Sequence, residues 1–312
     1  MIRFAGPVLA SASSLAVGVC PAAADAPVVV ASIKPIHALV ANVMQGVAAP
    51  VLLVRGTASP HTYSLRPSNA RALDDADVVF WVGDGMETFL EKPLSALSSG
   101  AEVVELGHLQ GLTLLPMREG GAWAAHDEER AEAHEHRADE DADMHIWLDP
   151  ANAEVMTDAI AERLSATDPE NAATYARNAE ALKVNLRQLD DRLAHKLAPV
   201  ADQPFVVFHD AYHYFEHRYG LNGVGSITVS PERPPGAQRL LEIRDELARR
   251  EAACVFAEPQ FEPAVVEIVV EGTGARTGVL DPEGAALDEG PQHYIELLDR
   301  LADAVVECLS VD

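Results

Sequence analysis

Residues 168–199 read DPENAATYARNAEALKVNLRQLDDRLAHKLAP, and the organisation of the whole chain follows from them. Asp168 is a typical N-cap residue, Pro169 suits the first helical turn, and the run to Leu197 contains no glycine and no further proline. The pattern predicts a helix about 43 Å long, which exceeds the width of a small domain. A helix of this length joins two parts of a protein, so we expect a folded unit on each side of it.

The segments on both sides of this helix alternate short β-branched runs with amphipathic stretches. Such alternation indicates βαβ units and mostly parallel sheets flanked by helices. The predicted strands cover residues 28–32, 51–54, 78–82, 103–106, 205–208, 225–229, 253–257 and 277–280. The predicted helices cover residues 36–44, 68–73, 87–97, 151–164, 211–218, 236–250, 262–271 and 291–309. The expected fold is α/β, with lobes at 25–167 and 200–312, a linking helix at 168–199, and a site in the cleft between the lobes.

The charge balance limits the kinds of partner. The 312 residues include 49 acidic and 23 basic side chains, for a net charge of -26. A surface of this sign repels phosphate backbones and anionic lipids, and no basic patch stands out, so nucleic-acid and membrane-surface binding are disfavoured. The carboxylates either solvate the surface or attract cations, and their positions decide between these two roles.

The N-terminus indicates export. Residues 1–24 contain a single charge at Arg3, then an apolar stretch and a run of small residues, which is the pattern of a signal peptide cleaved near Ala24. Cleavage leaves Cys254 and Cys308, an even pair. In an oxidising compartment such a pair favours a disulfide over a metal or catalytic site, and two separate buried thiols are the alternative.

One segment, residues 119–143, breaks the α/β alternation. It contains ten carboxylates against two arginines, and three histidines, His126, His134 and His136. Since it has little to bury, we expect a mobile surface loop. Its histidines form a secondary candidate site that would bind a metal weakly and concentrate it locally. The alternative is a solvated loop with no selective binding.

Three histidines and an aspartate lie at the boundaries of predicted elements. His61 follows the second strand, His145 precedes a helix start, and His209 and Asp281 lie at or just past the ends of strands. Ligands of open α/β sheets bind beyond the carboxyl ends of strands, so these side chains can converge. Three imidazoles plus a carboxylate or water form a four-coordinate site that suits Zn²⁺. Taken singly, however, a histidine at a strand end is more often an ordinary surface or core residue.

The other motifs and histidines give little indication of a catalytic or metal-binding role. The sequence has no GxSxG, P-loop or HExxH motif, and no GxGxxG spacing, which lowers the expectation of an enzyme. His213 and His217 follow His209 at helical spacing, and we expect them to line the packed or solvated face of a helix. Structural or surface roles are expected for His37, His108, His195 and His293.

Seven motifs occur in an order that resembles a known family. They are SIKPIHALV (32–40), SPHTYSLRPSNARAL (59–73), ADVVFWVGDGMETFL (76–90), HIWLDPANA (145–153), VVFHDAYHYFEHRYGL (206–221), CVFAEPQFEPAVVE (254–267) and GVLDPEG (278–284). They resemble the metal-binding, cluster-type solute-binding proteins of ABC transporters, and among these the periplasmic zinc receptors. The resemblance runs from Val28 to the C-terminus.

The resemblance implies a set of ligands and partners. It implies a metal between two α/β lobes, held by His61, His145 and His209, with Asp281 at the fourth position. Manganese-binding relatives have a carboxylate where this chain has His209, so zinc is the expected cargo. Some zinc receptors have a glutamate where this chain has Pro60, so the fourth ligand is Asp281 or water. The implied partners are a membrane permease with its cytoplasmic ATPase, and the receptor is expected to be a monomer.

The same resemblance implies a His-rich loop before HIWLDP and a cysteine pair at Cys254 and Cys308. We expect capture and delivery without catalysis, with affinity falling below about pH 6.5, because the ligands must be neutral histidines. The alternatives are a manganese receptor, a metal chaperone or an adhesin of the same fold. A further alternative is an exported zinc hydrolase with Glu258 as general base.

Overall fold

The computed structural model describes residues 26–97, 100–118, 142–228, 235–261 and 264–310. The predicted signal peptide and the loop histidines His126, His134 and His136 lie outside the described residues. Within the described ranges, no helix is both long and apolar enough to cross a membrane.

The first lobe is built on a parallel sheet of four strands. The strands are β1 (Val29–Ala31), β2 (Val51–Leu52), β3 (Val78–Trp81) and β4 (Glu102–Glu105), in the spatial order β2-β1-β3-β4. The accompanying helices are α1 (Lys34–Val43), α2 (Pro67–Asp74), α3 (Glu91–Leu97) and α4 (Pro150–Thr167). Strands β1 and β3 are buried along their whole length, because helices cover both faces of a parallel sheet.

The linking helix, α5 (Ala172–Leu197), begins later than the sequence predicts. Asp168 ends α4 instead of capping α5, so the prediction of a helix start at Asp168 is wrong. Its carboxylate accepts hydrogen bonds from the Asn171 amide at 2.8 Å and the Tyr175 hydroxyl at 2.7 Å, which fixes a turn between the two helices. Helix α5 has 26 residues and is therefore about 39 Å long.

The second lobe repeats the architecture of the first. Its strands are β5 (Phe205–His209), β6 (Gly223–Thr228), β7 (Cys254–Ala257) and β8 (Arg276–Val279), all parallel, in the order β6-β5-β7-β8. Its helices are α6 (His213–Tyr219), α7 (Ala237–Arg250), α8 (Ala264–Val270) and α9 (His293–Leu309). The α/β fold class with two sheets is confirmed. In the first lobe, the helix predicted at 87–97 begins as a 3₁₀ turn at Thr88–Leu90 and continues as α3.

A single hydrophobic core runs through both lobes. It joins β-strand residues of the two sheets, such as Val29 and Phe205, to a buried stripe on α5 that includes Leu182 and Leu189. Helix α5 packs against α1, α4 and α9, so it contacts both lobes. Each sheet also has a smaller core on its other face, under α2 and α3 in the first lobe and under α7 and α8 in the second. Because the central core is continuous, we expect only small motions between the lobes.

A disulfide joins Cys254 on β7 to Cys308 on α9. Their separation of 54 residues corresponds to a loss of unfolded-state entropy of at most about 4 kcal/mol. The double variant C254A/C308A should therefore lose free energy of unfolding up to this amount, measured by urea denaturation. Wild-type protein treated with reductant is the control and should lose a similar amount. Two titratable thiols in the denatured, unreduced protein would contradict the pairing.

Candidate metal centre

The three predicted histidines come from separate elements and meet in the structure. His61 lies in the 3₁₀ turn Pro60–Thr62, in the connection that follows β2. His145 directly precedes the 3₁₀ turn Ile146–Leu148 that leads into α4, and His209 is the last residue of β5. The side chains of His145 and His209 are buried, and that of His61 is half-buried. Both lobes therefore contribute to the cluster.

The spacing of the imidazole nitrogens fits a tetrahedral ion. The ligating nitrogens all lie within 4.8 Å of one another. Nε2 of His145 is 3.4 Å from Nε2 of His61 and 3.4 Å from Nε2 of His209. Two nitrogens bound to tetrahedral zinc, with Zn–N bonds of about 2.0–2.1 Å, are about 3.3–3.4 Å apart. A zinc-sized ion thus fits among these nitrogens with little rearrangement.

Two buried carboxylates orient two of the three rings. Oδ1 of Asp143 lies 2.6 Å from Nδ1 of His145, and Oε1 of Glu258 lies 2.6 Å from Nδ1 of His209. Because an ionised carboxylate only accepts hydrogen bonds, Nδ1 of each ring is the donor, which leaves the Nε2 lone pair for a metal. The same two oxygens also accept from the backbone N–H groups of His145 and His209.

The pKa values of the three imidazoles are shifted in different directions by their surroundings. Burial, together with the neighbouring imidazoles, lowers the pKa of His61 and of His145 well below the ordinary value. Burial also opposes the charged form of His209, but the adjacent Glu258 carboxylate outweighs it and raises the pKa of His209. Burial raises the pKa of Asp143 to about 6. The surroundings thus favour the neutral, cation-binding form of His61 and His145, whereas His209 holds its proton more tightly than an ordinary histidine does.

The histidines line a small cavity. Its volume is about 10 Å³, which is room for one water-sized sphere. Trp147 and Phe261 form apolar walls, and Glu258, Gln260 and Glu283 supply polar ones. Such a cavity suits a single ion.

The chain matches the family model of the zinc-uptake complex component A, periplasmic (ZnuA), over residues 29–308. It belongs to this family. The high-affinity zinc uptake system protein ZnuA of Brucella suis is 48% identical over 305 residues, which cover 90% of this chain and 91% of the relative. The ZnuA proteins of Yersinia pestis (39% identical; 90% of this chain and 91% of the relative) and Paracoccus denitrificans (38%; 100% of each chain) are also similar.

Solved structures support the same fold. A crystal structure of ZnuA superimposes with a TM-score of 0.77 at 28% identity, covering 92% of this chain and 100% of that one. The periplasmic zinc-binding protein TroA of Treponema pallidum has a TM-score of 0.75 at 22% identity, with 92% and 100% coverage. The second likeness bears on the two-lobe fold alone. The resemblance seen in the sequence to a zinc receptor family is therefore confirmed.

Asp281, the expected fourth ligand of this ZnuA-family site, lies outside the histidine cluster. Its Oδ1 accepts hydrogen bonds from the Gln260 amide at 2.9 Å and from the backbone N–H of Glu283 at 3.2 Å. Its Oδ2 accepts from the backbone N–H of Ala285 at 2.5 Å. Among the described residues, no carboxylate oxygen joins the three nitrogens within 4.8 Å. The role of Asp281 as a ligand stays a prediction.

The other histidines in the part of the chain that the structure describes are not part of the cluster. His209 ends β5, whereas His213 and His217 lie on α6, half-buried and exposed respectively, as expected for the packed or solvated face of a helix. The Nε2 atom of His37 contacts the Pro50 carbonyl oxygen at 3.2 Å. His293 contacts the carbonyl oxygens of Asp288 and Glu283, which agrees with a structural role.

The role of Asp143 was not predicted from the sequence. The predicted acidic loop extends to residue 143, but Asp143 is buried beside His145, so the predicted end of the loop is wrong. Ala142 forms an antiparallel bridge with Pro116, which ties the chain down just before Asp143. The Asp-x-His spacing was the available signal. Glu258, considered as a catalytic base, instead holds His209, which removes the main support for a hydrolase.

Proposed function

We propose that this ZnuA-family protein captures Zn²⁺ between its lobes and delivers it to the permease of an ABC transporter, whose cytoplasmic ATPase drives uptake. The observation that carries the proposal is the pair of 3.4 Å Nε2–Nε2 distances within the histidine cluster. The proposed ligands are His61, His145 and His209. Capture consists of replacing the water shell of the ion with imidazoles, and the ion itself undergoes no chemical change.

Zinc fits this site better than harder ions do. Three neutral nitrogens in a tetrahedral arrangement suit zinc, whereas manganese, magnesium and calcium favour oxygen ligands. We propose Asp281 as the fourth ligand, which requires its Oδ1 to exchange the bond to Gln260 for the ion; water is the alternative. The carboxylates of Asp143 and Glu258 contact Nδ1 of His145 and His209, and these hydrogen bonds make the imidazoles stronger ligands for zinc.

The organisation proposed for the mature protein follows from export. We propose cleavage near Ala24, a first lobe at 25–167, the linking helix within 168–199, and a second lobe at 200–312. The protein acts as a periplasmic monomer in this proposal. The disulfide between Cys254 and Cys308 suits an oxidising compartment.

The ligand assignment predicts a pattern of affinities. The variants H61A, H145A and H209A should each bind zinc at least about 100-fold more weakly than wild type, because each loses a metal–nitrogen bond. The matched control is H195A, which removes an exposed histidine on α5. Competition titration against a chelator measures the affinity. Wild-type affinity in any of the three cluster variants would contradict the assignment, and wild-type affinity in D281A would assign the fourth position to water.

The pKa shifts predict how zinc affinity depends on pH. Since the pKa values of His61 and His145 are lowered, these rings stay neutral below pH 6.5, and His209, with its raised pKa, must lose a proton when zinc binds. Affinity should rise by up to about tenfold per pH unit until His209 has titrated, and then level off. In E258Q the levelling should move to lower pH, because the charge that stabilises the imidazolium is removed. Equal profiles for both proteins, or flat binding from about pH 8 to 5, would argue against this reading.

The acidic segment predicts additional weak sites. We propose that His126, His134 and His136 collect zinc near the cavity. Pro116 and Ala142 pair in a bridge, so a short glycine linker can replace residues 119–141 and leave Asp143 in place. Calorimetry should show that this deletion keeps one tight site and loses the weak ones. The triple variant H126A/H134A/H136A, which retains the carboxylates, separates imidazole binding from simple charge attraction, and unchanged stoichiometry in the deletion would end the proposal.

A further inference from the structure

A short segment of the second lobe, residues 281–287, forms one wall of the metal cavity. We refer to it as the strap. Pro282 and Glu283 of the strap line the cavity that contains the three histidines. The strap is braced internally, because the Asp281 carboxylate accepts hydrogen bonds from the backbone N–H groups of Glu283 and Ala285. It follows β8 and leads toward α9, so its position is not set by the sheet alone.

The first lobe holds the strap through Lys34, the first residue of α1. Nζ of Lys34 donates hydrogen bonds to the carbonyl oxygens of Gly284 at 3.3 Å, Ala285 at 2.8 Å and Leu287 at 3.0 Å. The three ammonium protons thus match three acceptors. Lys34 is only 6% exposed, so these bonds replace the water that its charge would otherwise require.

A second contact from the first lobe acts on the same segment. Nε1 of Trp147 donates a hydrogen bond of 2.8 Å to the Pro282 carbonyl oxygen. The indole also lies beside the imidazole of His145, with ring centroids 5.3 Å apart. The strap is therefore joined to the first lobe at Pro282 through Trp147 and at its other end through Lys34.

A second, larger cavity also borders the strap. Its volume is about 350 Å³, and it is lined by Asp281, Gly284 and Leu287 of the strap and by Leu297 and Leu301 of α9. The metal cavity holds only about 10 Å³. The larger cavity offers the strap space to move into, provided that its hydrogen bonds are released.

We propose that Lys34 is a positioning residue that keeps the strap closed over the metal cavity and so slows the escape of bound zinc. The proposal rests on the proposed function, since it concerns the same site. Without the ammonium group, the buried carbonyl oxygens of Ala285 and Leu287 lose this donor, while that of Gly284 keeps only the backbone N–H of Leu287, and movement of the strap toward water becomes favourable. Lys34 bonds to none of the three histidines, so it acts on bound zinc only through the strap, which also carries Asp281, the proposed fourth ligand.

The test compares zinc association and dissociation rates in K34M, which keeps the length of the side chain and removes its donors. Zinc-loaded protein is mixed with excess chelator in a stopped-flow instrument. The dissociation rate should rise about 10- to 100-fold, with an association rate close to that of wild type. The matched control is K183M: Lys183 is also largely buried, but its Nζ pairs with Asp158 and Glu180, each at 2.7 Å.

Further readouts separate positioning from a general loss of structure. Amide hydrogen exchange of the zinc-loaded protein should quicken within residues 281–287 of K34M and remain unchanged there in K183M. K34Q, which keeps amide donors for the carbonyls, should have an intermediate dissociation rate, and it provides the same comparison if K34M does not fold. A wild-type dissociation rate in both Lys34 variants would overturn the proposal. It would also be overturned if K34M and K183M showed the same slower association of zinc and the same lowered Tm, because the effect would then be a general loss of structure. Failure of the wild-type protein itself to bind zinc would instead refute the proposed function.

Discussion

One hydrophobic core passes between the two sheets and fixes their relative position, and the geometry of the proposed metal centre depends on it. Helix α5 contributes a stripe of leucines to this core, and each buried leucine stabilises the folded state by roughly 1.5–3 kcal/mol. His145 comes from the first lobe and His209 from the second, with 3.4 Å between their Nε2 atoms. A shift of about 1 Å between the lobes would spoil this spacing for a metal, so the site requires lobes that share a core.

The same closeness disfavours positive charge on the imidazoles, and two buried carboxylates orient two of the three rings. Three imidazoles that face one small cavity cannot all be charged, and burial lowers the pKa of His61 and His145 accordingly. Asp143 and Glu258 each fix one ring with Nδ1 as donor, so that Nε2 points into the cavity. In a site arranged in this way, the side chains need little rearrangement when a cation enters, and the hydrogen-bonded carboxylates make the imidazoles stronger ligands.

Local patterns in the sequence carried much of this information. The strands and helices followed from β-branched runs and helical periodicity, because those signals depend on neighbouring residues. The predictions were wrong at residues whose type suits more than one local structure. Asp168 had the features of an N-cap, but it ends α4 and bonds to Tyr175 instead. Asp143 matched the acidic composition of the neighbouring loop, but it is buried and hydrogen-bonded to His145.

The sequence by itself determined the fold class, the family and the three histidines, since element ends and ordered motifs can be read along the chain. Only the tertiary structure decided how these residues act. The bond between His209 and Glu258 spans 49 positions, and the bonds from Lys34 to the strap span about 250. Such partners have no periodicity or spacing that marks them. They are selected when packing brings together a buried charge and the polar groups able to satisfy it, and that match exists only in the folded protein.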